Sequence, residues 1–184
     1  MNGILVSCKM KLPPYNIFPT IISEKISLRQ IQSSDINDII EISFYDAVQA
    51  TTAQEAIEMQ DKINKNYLEG DSIHWGIVEN ATNKIVGTCG YYRGFDKGAG
   101  ELGCVLLPQY QGQGFMTLSM SLAIDFGINN IGLNRIYAIT SENNDKARKL
   151  LDRLNFIKTA DLEDQELEYE LKHDSLTGSV LEQA

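Results

Sequence analysis

The chain has 184 residues, 43% of them hydrophobic, and a formal net charge of −9 at pH 7. That is the size of one domain able to bury its own core, and the acidic balance gives no electrostatic basis for binding nucleic acid or an anionic membrane. No apolar run approaches the roughly 18 residues of a membrane span, residues 1–11 lack the apolar stretch and cleavage site of a secretory signal, and Cys8, Cys89 and Cys104 read as free thiols of a reducing compartment, the cytoplasm.

Residues 1–22, with Pro13, Pro14 and Pro19, read as an extended arm. Ile26–Ile31 alternates apolar and polar, the period of a half-buried strand. Ser33, Ser34 and Asp35 are N-cap candidates for a helix through Ile36, Ile39, Ile40 and Ile42. A second helix is predicted from Thr51 or Thr52 to Gly70, with Glu55 completing a capping box. His74–Val78 and Lys84–Tyr91 then form a hairpin around Asn80–Asn83. Glu101–Leu107 adds a third strand, so an antiparallel meander is expected.

A helix from Met116 to about Asn130 and a strand over Asn134–Thr140 follow. With the strand before them they make a right-handed crossover, which places those two strands parallel and adjacent. Asp145–Leu154 reads as a helix capped from Ser141–Asn144, and Phe156–Lys158 and Leu167–Leu171 as the last strands. The domain is bounded at 23–174, with residues 175–184 as a flexible tail.

Chemistry concentrates between Glu101 and Leu122, where a strand, a short glycine loop and a helix follow one another. Such a loop lets backbone approach phosphate oxygens, and the helix start offers unpaired N–H groups and a positive dipole end. Gly112-Gln113-Gly114-Phe115-Met116-Thr117 lacks the third glycine of a dinucleotide fingerprint and the acidic residue about 20 positions later. No Gly-Lys-Ser/Thr follows, so a Walker loop is excluded. A tight turn holding no ligand stays open on these residues alone. His74 and His173 are the two histidines, and neither stands at metal-ligand spacing.

Gln109-x-x-Gly112-x-Gly114 resembles the acetyl-CoA motif of the GNAT acyltransferases. Ile26–Arg29 with Ser34-Asp35, Trp75, Val86-Gly87, Glu101-Leu102-Gly103 and Pro108–Gly112 are similar, in that order, to the branch of ribosomal-protein N-terminal acetyltransferases (RimJ/RimL-type). Asn144-x-x-Ala147 and Leu154-Asn155-Phe156 resemble that branch's Asn-x-x-Ser and Leu-Gly-Phe, with Ala147 and Asn155 as departures. The resemblance implies an α+β, three-layer fold. Its mostly antiparallel mixed sheet of six to seven strands is flanked by about four helices and has a splayed central strand pair.

It also implies acetyl-CoA as cosubstrate, no metal, and direct transfer of acetyl to a primary amine in a ternary complex. The acceptor is an amine of unknown identity, a protein N-terminus or a small molecule. Homodimers are frequent in the branch. Backbone N–H groups of Gln111, Gly112, Gln113, Gly114, Phe115, Met116 and Thr117 would hold the pyrophosphate. Val105, Leu106 and Leu107 would supply backbone contacts for the pantetheine arm, with an N–H near Leu106 as oxyanion donor; Arg148 reads either as reaching the adenosine 3′-phosphate or as a solvated helix residue.

Glu101 is the first candidate base, against a plain solvated strand-end carboxylate. Asn144 would contact pantetheine or thiolate, or simply cap its helix. The family's usual acids, a Tyr or that branch's Ser, fall on Leu151 and Ala147. That gap keeps a non-catalytic acyl-CoA-binding module as the alternative. His74 is a lesser candidate base, Tyr91, Tyr92 and Arg93 stand beside the acceptor cleft, and Cys104 reads as small and buried rather than nucleophilic.

Overall fold

The alternating stretches do become strands, and they pair into one sheet. In the computed structural model, which describes residues 10–172, eight strands run β1 (Ile21–Ile22), β2 (Ile26–Arg29), β5 (Ile73–Glu79), β6 (Lys84–Tyr92), β7 (Ala99–Leu106), β8 (Arg135–Ser141), β10 (Glu166–Leu171) and β9 (Phe156–Asp161) across the sheet. Every neighbouring pair is antiparallel except β7 and β8. The count exceeds the expected six to seven because the end of the arm, Ile21–Ile22, joins as an edge strand. A separate two-stranded hairpin, β3 (Phe44–Tyr45) and β4 (Val48–Gln49), stands outside the sheet. The proposed tail, 175–184, lies outside the described residues.

Among the described residues three α-helices cover the faces: α1 (Ala53–Glu69), α2 (Phe115–Phe126) and α3 (Asp145–Arg153). Helix α1 starts where its cap residues dictate, with Thr52 Oγ1 accepting from Glu55 N–H, and it ends at Gly70 in the left-handed conformation. Helix α2 is apolar almost all round and runs on into a π turn over Gly127–Ile131. It packs against the sheet face carrying Ile73, Trp75, Ile77 and Tyr91. The arm covers its outer side: Tyr15 meets Phe126, and the Trp75 indole N–H donates to Pro19 O at 2.9 Å.

The helix expected over Ser33–Ile42 is instead two 3₁₀ segments, Ser33–Asp38 and Ile40–Ile42. The buried residues Ile36, Ile39 and Ile42 recur every third position, which suits three residues per turn rather than 3.6. Four β-branched isoleucines in seven positions also weaken an α-helix. Asp35 pins the first segment by accepting from Gln32 N–H and from both guanidinium nitrogens of Arg29. Together with α1, these turns bury Ile31, Ile85 and Leu107 in a second, smaller core on the opposite sheet face.

Candidate active site

Strands β7 and β8 pair over only three positions, Ala99–Arg135, Gly100–Ile136 and Glu101–Tyr137. Beyond Glu101 both strands continue without pairing to each other, so the sheet opens as a V. This is the expected splay. A cavity of about 370 Å³ occupies it. Leu102, Cys104 and Val105 form one edge, Ala138–Thr140 the other, and Asn144, Ala147, Leu150 and Leu151 of the α3 region close one end. Residues of α1 and of the Ile31–Phe44 segment close the other. The cavity thus touches helices of both sheet faces.

The glycine loop opens into α2 beside this V. Gly112 and Gly114 adopt φ of 76° and 84°, where an L side chain is strained, and a Cβ at either would meet nothing within 4 Å. The loop is therefore shaped by backbone requirements and leaves open space above it. Leu118 N–H bonds to Gly114 O at 3.1 Å. The N–H groups of Phe115, Met116 and Thr117, in the first turn, have no intrahelical acceptor. These features fit a phosphate group. Gln111 does not join them, since its N–H is bonded to Pro108 O at 3.2 Å.

Two cations flank the loop that sequence spacing did not reveal. Lys25 Nζ donates to Gln113 O at 2.8 Å and sits 4.6 Å from the centre of the Phe115 ring. Arg153, from the last turn of α3, donates to Thr117 Oγ1 at 3.2 Å. Arg148 is engaged elsewhere: its guanidinium donates to Tyr169 Oη at 3.3 Å and to Glu142 O at 3.1 Å.

Just past the end of β7, Leu107 N–H bonds to Val86 O at 3.0 Å, so it is not available to a pantetheine arm. Strand alternation turns the neighbouring Leu106 N–H to the other edge, the one β8 has left. Asn144 caps α3 by accepting from Ala147 N–H at 3.1 Å, and it also lines the cavity. Ala147 and Leu151 line it too, so the positions of the missing acids do face the V.

Register places His74, Gly90 and Gly103 in one row across the sheet, and Tyr92, Glu101 and Tyr137 in the next, all on one face. Glu101 Oε1 is ion-paired with Arg93, while Oε2 is buried without a partner. Glu101 does not line the cavity; His74, Thr88 and Tyr92 do. His74 is a strand residue of intermediate exposure. Its Nδ1 is buried without a partner, and burial holds the imidazole neutral by lowering its pKa to about 4. Burial likewise pushes the Tyr92 phenol well above its ordinary value.

Tyr91 points the other way, into the core, and donates to Ala123 O at 2.9 Å. Cys104 faces Cys89 across β6 and β7, and that neighbouring thiol, with burial, raises its thiol pKa well above the usual value. A protonated thiol is a poor nucleophile. Among the described residues no cluster of His, Cys, Asp and Glu is arranged to hold a metal. No described helix is long and apolar enough to cross a membrane.

Comparison with known proteins gives the arrangement its context. The chain is 28% identical over 155 residues to the uncharacterized N-acetyltransferase p20 of Bacillus licheniformis, covering 80% of this chain and 87% of the relative. A shorter stretch of 56 residues, 30% of each chain, is 34% identical to spermidine N(1)-acetyltransferase of Escherichia coli strain K12. The fold matches a putative ribosomal-protein-serine acetyltransferase from Vibrio cholerae with a TM-score of 0.73, at 17% identity over 83% of this chain and 96% of that one. The family model described as acetyltransferase (GNAT) domain matches residues 25–157, and the chain belongs to that family of acetyl-CoA-dependent N-acetyltransferases.

Proposed function

We propose that this chain transfers an acetyl group from acetyl-CoA to a primary amine by direct attack within a ternary complex. The observation that carries the reading is the cavity in the V between β7 and β8, with the glycine loop at its mouth. The thioester enters along β7, held by the backbone of Val105 and Leu106. The pyrophosphate rests on the amides of Gly112, Gln113, Gly114, Phe115, Met116 and Thr117, with Lys25 and Arg153 supplying positive charge beside them.

The Leu106 N–H faces the carbonyl oxygen that becomes negative during attack. The amine approaches from the opposite face, past His74 and Tyr92. Its proton passes to Glu101 through the unpartnered Oε2, with His74 as the second acceptor, since that ring lies in the cavity itself. Tyr92 offers a neutral O–H in the cavity to the departing thiolate, a role that Ala147 and Leu151 cannot fill. Asn144 orients the arm as well as capping α3.

The test is release of free thiol from acetyl-CoA against a panel of amines and N-terminal peptides. Turnover that falls at least tenfold in Glu101→Gln or His74→Gln assigns the acceptor of the proton. The second reading, a non-catalytic acyl-CoA-binding module, is favoured by Ala147 and Leu151 at the usual acid positions. It holds if CoA raises the melting temperature while no amine releases thiol.

A further inference from the structure

The acceptor end of the cavity carries no charge, and charge is what a polyamine would need. Ile31, Ile39, Ile42, Phe44, Met59 and Ile63 form its wall, with Ser43 and Gln60 as polar interruptions. Among the described residues, no Asp, Glu, Lys or Arg lines the cavity. The carboxylates that register places beside the cavity on the same sheet face, Glu101 next to Tyr92 and Glu168 next to Ile139, are already paired with Arg93 and Arg135. His74 is neutral.

We infer that the acceptor is a small amine attached to an uncharged, apolar group, with no second cationic nitrogen. This rests on the acetyltransferase reading above and names the acceptor class of that same site. The physical argument has two parts. An unpaired ammonium in an apolar wall loses its hydration and gains no partner, so the far nitrogen of a polyamine has nowhere to sit. An amine that is already neutral enters without that loss.

At pH 7.5 an α-amine with a pKa near 7.9 is neutral roughly 10²-fold more often than an alkylamine with a pKa near 10.4. Low-pKa apolar amines are therefore favoured twice. The cavity volume of about 370 Å³ also limits the acceptor, because the thioester end shares it. The Ile36–Ile39–Ile42 period turns the 3₁₀ segments into an apolar roof, and the exposed Phe44 at their end rims the entrance.

The experiment compares leucinamide, phenethylamine and spermidine in the full chain, by kcat/KM with acetyl-CoA at pH 7.5. Calorimetric binding of each amine to the CoA complex is measured in parallel. Expected is a preference of at least about tenfold for leucinamide and phenethylamine over spermidine, with leucinamide ahead. Gln60→Glu puts a carboxylate of nearly the same shape into the wall. It is expected to raise spermidine and lower phenethylamine, shifting their ratio by about tenfold, the change that roughly 1.4 kcal/mol makes.

Spermidine equal to or better than the apolar amines overturns the inference while leaving the acetyltransferase reading intact. Absence of thiol release with every amine overturns that reading instead. In that case the calorimetric order still decides the inference, and spermidine binding as tightly as phenethylamine overturns it.

Discussion

His74 offers a prediction that reads the cavity through folding rather than turnover. Its folded pKa is about 4 against an ordinary 6.5, because burial opposes the charged form. The folded state therefore binds this proton only near pH 4, whereas the unfolded chain binds it near pH 6.5. Stability from this group is complete above pH 6.5 and is lost as pH falls toward 4, where the folded state also becomes protonated. A gap of 2.5 units at 1.36 kcal/mol each gives a loss of about 3 kcal/mol.

Urea unfolding at pH 7, 6, 5 and 4 on the wild type and on His74→Gln isolates that loss. The amide has similar size and does not titrate, and the carboxylates common to both proteins cancel in the difference. Between pH 7 and 4 the wild type should lose about 3 kcal/mol more than the variant. The groups facing His74 support this direction. Tyr92, whose ring centre is 5.4 Å away, is neutral, Thr88 is uncharged, and Glu101 in the next row is held by Arg93. Equal losses in the two proteins would refute the argument, because the imidazole would then be charged in the folded state by a partner or by water.

Three further changes probe the scaffold. A Cβ at Gly87 would lie 2.4 Å from Val105 O and 3.1 Å from Leu106 Cα, both backbone; Gly87→Ala must push β6 from β7 and should cost about 2–3 kcal/mol, read as a melting temperature lower by roughly 5–10 °C. Asn144→Ala should cost about 1 kcal/mol as a lost cap, while Asn144→Ser restores stability. If the Ser variant keeps a raised KM for acetyl-CoA, the amide has a role beyond capping; an unchanged KM in both variants leaves capping alone. Asp35→Asn removes a bidentate partner from Arg29; burial opposes the Asp35 charge, but Arg29 and Gln32 N–H outweigh it and hold the carboxyl below its usual range. The variant should lose about 2–4 kcal/mol in urea unfolding, with a stabilised variant refuting the role of the pair.

The sheet was legible because its residues obey local rules. The alternation in Ile26–Ile31, the turn Asn80–Asn83 ahead of the returning strand Lys84–Tyr91, the Thr52 cap and the Gly112–Gly114 pair each specify their own conformation, whatever lies opposite. The splay was legible only through family resemblance, since no residue of β7 or β8 announces that pairing stops at Glu101 and Tyr137. The acceptor wall was hidden for a different reason. Ile36, Ile39, Ile40 and Ile42 satisfy a helical pattern in a short window, and only the three-residue recurrence of burial distinguishes a 3₁₀ roof from an α-helix.

Lys25, Arg153, His74 and Gln60 are separated by up to 128 positions in the chain, and nothing local to any of them marks a ligand. Their relation to the V follows from strand order alone. Moving β5 one place along the sheet would strand His74 far from the opening while leaving its sequence context untouched. The phosphate loop is built from backbone, which a glycine pattern can report. The acceptor end is built from the absence of charge at many distant positions, and an absence becomes visible only when the fold has gathered those positions around one space.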